Sequence, residues 1–190
     1  MSAGKVVENP ASGERIVVLR TGADTGGALL EFELHLAPGG HVPSGHMHPE
    51  QEERFTVLEG RARFRLGIRT VMVGAGQTVT VRPGTAHRFA NAGPVPARLL
   101  VQVRPALNME ELLETAAALT REGSAVLAGR PRLLDLALFL REFEREVRAP
   151  VLPALLSGLF RSLAWLARWA GRDARYRRLR GLTAARREPS

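Results

Sequence analysis

Two histidines one residue apart, His46 and His48, are followed by Glu53, and a third histidine, His87, comes further along the chain. Positions i and i+2 of a strand share a face, so His46 and His48 can reach one ion together. Glu53 lies past Pro49-Glu50-Gln51, a bend that can swing a carboxylate back. Glu52 offers the same group one residue earlier. Three neutral imidazoles and one carboxylate suit a divalent first-row ion: Fe, Mn, Co, Ni, Cu or Zn. On an octahedral ion, four protein ligands leave two positions, enough for a bidentate substrate or for substrate plus O2. One carboxylate against a divalent ion leaves a charge of about +1, which favours enolates, carboxylates or catecholates.

These side chains must be held by strands. Leu30, Phe32, Leu34 and Leu36 alternate with Glu31, Glu33 and His35, the pattern of a half-buried strand. Arg61, Arg63 and Arg65 alternate likewise with Ala62, Phe64 and Leu66. Further short runs at Glu14–Arg20, Phe55–Leu58, Thr70–Val73, Thr78–Val81, His87–Ala90 and Ala97–Val103 are separated by Gly and Pro turns. Such spacing reads as an all-β sandwich or barrel over residues 14–105. Residues 1–13 read as an N-terminal arm. Phe55, Val57, Phe64 and Phe89 fill the barrel interior or touch substrate. His35 faces solvent, His41 on a turn is a candidate substrate contact, and Gln102 points either to the site or outward. Asn91 and Gly84 read as turn residues.

At Pro105 the pattern changes. Asn108 followed by Glu111 forms a capping-box start. Leu112, Leu113, Ala116 and Leu119 recur at helical spacing, and Gly123 stands where a cap would end the helix. Pro131 opens a second helix whose stripe runs Leu133, Leu136, Ala137, Leu140, Phe143 and Val147. A third helix is expected over roughly 154–178. Residues 106–190 are therefore a helical extension, basic at its end.

Composition excludes several classes. The chain of 190 residues has no cysteine, so disulfides, thiolate ligands and a cysteine nucleophile are ruled out. The net charge of +8 is concentrated in residues 161–190, where nine arginines face Asp173 and Glu188. The barrel segment is nearly neutral, so no nucleic acid partner is expected. The N-terminus lacks the charged-then-apolar pattern of a signal peptide, which points to a cytoplasmic protein. The basic amphipathic stretch 154–180, with Trp165 and Trp169, can dock on protein or make peripheral contact with an anionic membrane.

The spacings resemble those of the cupin family. Gly40, His46, His48, Glu53 and Gly60 fit its first motif, and Gly76, Gly84, His87 and Asn91 its second, with Arg82 where proline is usual. The resemblance implies a double-stranded β-helix, or jelly-roll, barrel and His46, His48, Glu53 and His87 as metal ligands. It also implies a homodimer, a small-molecule substrate and a divalent metal, iron favoured. The chemistry expected is dioxygenase-like oxidation of an enolate or catecholate. A redox-neutral isomerase, cyclase or lyase, or a non-catalytic ligand-binding module, are the alternatives. No catalytic residue beyond the ligands is assigned.

Overall fold

Side-chain alternation builds nine strands between Val6 and Arg104. The computed structural model describes residues 2–9, 12–42, 44–127, 133–150, 162–166, 168, 169, 176 and 177, with backbone alone for 122–127 and 133. The strands are β1 (Val6–Asn9), β2 (Glu14–Arg20), β3 (Leu30–Leu36), β4 (Glu52–Glu59), β5 (Arg61–Leu66), β6 (Arg69–Gly74), β7 (Thr78–Val81), β8 (His87–Asn91) and β9 (Ala97–Arg104). They form a six-stranded sheet in the order β1-β2-β3-β9-β4-β7 and a three-stranded sheet in the order β6-β5-β8. All pairings are antiparallel. The fold is an all-β jelly roll with helices after it.

In β3 every second residue is buried, from Leu30 to Leu36. In β9 the buried set is Ala97, Leu99, Val101 and Val103. These faces meet Phe55, Phe64 and Phe89, whose ring centroids lie 5.0–5.6 Å apart. Each such side chain contributes roughly 1.5–3 kcal/mol of burial free energy. Two motif glycines are required by the turns. Gly60 has φ +75°, and a Cβ there would lie 2.9 Å from the Pro96 carbonyl oxygen. A Cβ on Gly40 would meet the Ala37 oxygen at 2.9 Å.

Helices α1 (Met109–Leu127) and α2 (Leu133–Glu142) follow. α1 packs its Met109, Leu112 and Leu119 face into the same core as the strands. Lys5 beside β1 pairs with Glu114 of α1. Phe139 and Phe143 pack with their rings tilted by 53° and centroids 5.1 Å apart, and join that core.

Within the N-terminal arm expected over residues 1–13, Val6–Asn9 is a strand, β1, paired with Glu14–Val17. Ser12 and Gly13 N–H donate to the Asn9 carbonyl where the two strands join. Two sequence expectations are corrected. Gly123 does not end α1, which runs on to Leu127. Asn91 is more than a turn residue: it ends β8, and its side chain donates to the carbonyls of Leu36, Ala37 and Val95. The expected third helix lies largely outside the described residues, as does most of the 154–180 segment. Residues 162–166, 168, 169, 176 and 177 are helical. Among the described residues no helix is long and apolar enough to cross a membrane.

Candidate metal centre

Glu53 is the second residue of β4 and points inward with Phe55 and Val57. His87 opens β8 in the other sheet. The segment between β3 and β4 carries His46 and His48. It is docked by a two-way backbone pair, in which His46 N–H donates to the His87 carbonyl at 3.0 Å and His87 N–H to the His46 carbonyl at 2.8 Å. The turn at 82–85 is tied to the same segment, with Gly84 N–H donating to the His48 carbonyl at 2.8 Å. Arg82, in place of the usual proline, is exposed there and leaves that turn closed.

The four side chains converge. One ligand atom from each of His46, His48, Glu53 and His87 lies within 4.8 Å of the others. Imidazole centroids are 4.4 Å apart for His46–His87, 4.9 Å for His46–His48 and 5.3 Å for His48–His87. Every ring is anchored by Nδ1 on a backbone carbonyl: His46 on Ser44 at 3.1 Å, His87 on Thr85 at 3.1 Å, and His48 on Glu146 at 2.5 Å. A carbonyl only accepts, so each Nδ1 carries its proton and Nε2 is turned inward.

Glu53 Oε2 stands 3.2 Å from His48 Nε2 and 2.9 Å from His87 Nε2. These three atoms are buried and have no hydrogen-bond partner. Lone pairs crowded around one point in a buried space are satisfied by a cation, so the donor set fits a divalent metal. The charges agree. Burial alone would raise the Glu53 carboxyl, but the His48 and His87 imidazoles outweigh it and hold the group well below the usual carboxylate range. Burial, then the nearby His87 and His48, push His46 down to about 4, so its imidazole is neutral near pH 7. Burial lowers His48 as well, yet the negative charge of the nearby Glu53 carboxylate and the Glu146 carbonyl on Nδ1 together raise it above its ordinary value.

A cavity of about 680 Å3 opens onto His46, His48 and Glu53. Phe32, Phe55 and Phe89 wall it from the sheets, and Leu112 and Phe139 from the helices. That volume is typical of a small-molecule site.

Other candidates fall elsewhere. Glu52 points away from the group on β4, and Arg104 is its register partner. His41 is exposed and holds the Gly39 carbonyl, and it is not part of the cavity wall. His35 pairs with Glu33 at 3.2 Å. Gln102 faces outward, donating to Glu31 at 2.5 Å. Val57 and Phe64 are core, while Phe55 and Phe89 reach the cavity. Sequence reasoning missed the Glu146 carbonyl and Arg148. Met47 and Arg148 exchange backbone hydrogen bonds of 3.0 and 2.9 Å, and Arg148 lines the cavity. A carbonyl has no sequence signature; the basic residue after the Phe143–Val147 stripe was the only visible hint.

An antiparallel jelly roll that gathers three histidines and one glutamate is the kind of barrel in which side chains of both sheets can share one ion. Residues 32–103 match the family model described as "Cupin domain", and this part of the chain is a cupin domain. The chain is 34% identical over 88 residues to the "Tetracenomycin polyketide synthase protein TcmJ" of Streptomyces glaucescens, a match covering 46% of this chain. It is 33% identical over 81 residues, 42% of this chain, to an uncharacterized protein of Methanocaldococcus jannaschii. The chain spans 57% and 65% of the length of these curated relatives. Among solved structures, a double-stranded beta-helix domain protein from Klebsiella pneumoniae is similar at 22% identity and a TM-score of 0.47. That match covers 56% of this chain and 90% of the other.

Proposed function

We propose that the cupin domain is a metal-dependent enzyme of the dioxygenase type, acting on a small, largely apolar molecule that presents an enolate or catecholate. The observation that supports this most is the convergence of His46, His48, Glu53 and His87 at the head of an apolar cavity. When bound, the ion would supply Lewis acidity toward the substrate's oxygens and, for a redox-active metal such as iron, one-electron chemistry with O2. Incorporation of both atoms of O2 requires no external reductant.

The chain's own residues supply the rest. The three Nδ1 anchors hold the imidazoles in one tautomer and one orientation. The phenylalanines exclude water and favour a flat apolar body. Arg148 is among the residues lining the cavity, and its positive charge would favour an anionic substrate oxygen. Similarity to a polyketide synthase protein supports an enolisable substrate, since polyketone chains enolise readily. The same similarity favours a second reading, redox-neutral enolisation at the same group without O2.

Metal analysis of protein purified without added metal, followed by O2 uptake on a panel of catechols and enediols, tests both. Iron with substrate-dependent O2 consumption is the expected outcome. Turnover with zinc and no O2 consumption would favour the second reading. Failure of every divalent first-row ion to bind would overturn both.

A further inference from the structure

The inner face of the first hairpin does not stay apolar to its end. Val7 and Asn9 of β1 and Glu14 and Ile16 of β2 all line the cavity. Asn9 stands opposite Glu14 in the register. An apolar wall thus ends in a carboxamide and a carboxylate. Ser12 Oγ donates to Glu14 Oε2 at 2.5 Å, and Asn9 Nδ2 reaches the same oxygen at 3.5 Å. Oε1 takes neither bond. Asn9 is 8% exposed, and its Oδ1 is buried without a hydrogen-bond partner. A buried acceptor left unpaired is costly, and this one borders a ligand-sized space.

The hairpin end lies well away from the metal group. His41 N–H donates to the Ser12 carbonyl at 2.9 Å, so His41 marks its level. His41 lies opposite Ala90 on β8, while His46 lies opposite His87. Three residues of β8 separate the two levels, on the order of 10 Å at the rise of a strand. The wall between them includes Phe32, Leu34, Val42 and Phe89. Along its sheet wall the cavity is therefore polar at two separated places and apolar in between.

We propose that Asn9 and Glu14 form a second binding point, which takes the O–H or N–H end of an elongated, mostly apolar molecule whose other end lies at the His46–His48–Glu53–His87 group. This rests on the reading that the group holds a metal and the cavity a substrate. The free atoms of the pair are acceptors, so the ligand must bring the hydrogen. A phenolic hydroxyl suits it, and a second carboxylate at that end is repelled by Glu14. Burial raises the Glu14 carboxyl to about 6, so near neutral pH the group is mostly an ionised acceptor.

The test compares two probes on the full-length chain loaded with redox-inert Zn2+: a phenylcatechol, and the same molecule with a para hydroxyl on its phenyl ring. Calorimetry is expected to show the hydroxylated probe binding about tenfold more tightly. Glu14→Leu should bring the ratio close to one, and measurable binding of plain phenylcatechol by the variant reports that the cavity is intact. Glu14→Gln, of equal volume, should give an intermediate ratio. Equal binding of both probes by the unaltered protein, or an unchanged ratio in Glu14→Leu, removes the second binding point and leaves the metal-site reading standing. If Zn2+ or both catechols fail to bind, the metal-site reading falls and the second binding point with it.

Discussion

His48 is held on both edges of its ring. Nδ1 donates to the Glu146 carbonyl and Nε2 faces Glu53. On the proposed reading, His48→Ala removes a metal ligand together with its anchor. Metal affinity should fall by at least about 100-fold, measured by direct titration. Full metal occupancy in the variant would refute the ligand assignment. Glu14 carries a pH effect of definite sign. Burial raises its carboxyl from 4.5 to about 6, against smaller opposing effects of Ser12, His41 and Asn9. The folded chain then holds this proton more tightly than the unfolded chain. Its stabilising contribution is complete below 4.5 and is lost as the pH rises through about 6. Glu14→Gln stays neutral throughout, so it should be up to about 2 kcal/mol more stable than the parent near pH 8 and no different near pH 4, as read from denaturant melts. Gly60→Ala forces a side chain into a left-handed turn and against the Pro96 carbonyl. A loss of about 2–3 kcal/mol is expected, visible as a fall in Tm of several degrees.

At the level of elements, the stretch after α2 acts on the barrel through its main chain. Glu146 gives its carbonyl to His48, and its carboxylate accepts the Asn108 N–H at 3.1 Å ahead of α1. Arg145 grips Glu50 with contacts of 2.6–3.2 Å, beside the ligand segment. Phe143, 1% exposed, is the apolar post of this turn. Phe143→Ala should cost about 3–5 kcal/mol in stability. It should also weaken metal binding about tenfold by loosening the Glu146 carbonyl. Undiminished metal affinity at a lowered Tm would separate the turn from the site. None of this was legible beforehand. Leu133, Leu136 and Phe143 announce an amphipathic helix, but periodicity does not say against what it packs. β1 was hidden for a similar reason: four residues before a polar turn carry too little alternation to stand out, and their pairing with β2 decides their state.

For the molecule as a whole, the β-core was legible because each strand buries one face, so alternation in β3, β5 and β9 maps directly onto inside and outside. The convergence of His46, His48, Glu53 and His87 was legible because their spacing reflects turns that have few solutions, as Gly40 and Gly60 show. The cavity was not, since it is bounded by parts distant in sequence: the first hairpin, the β3 face and both helices. The donors themselves come from both sheets, Glu53 from the larger and His87 from the smaller. An ion seated among them is a removable rivet between the two halves of the barrel. Mass action then ties unfolding to the free metal concentration. At a thousandfold excess over Kd the rivet adds about 4 kcal/mol, and a chelator takes it away. A melting curve that shifts upward with each decade of added metal, and flattens in His87→Ala, would make the thermal stability of this chain a gauge of the metal around it.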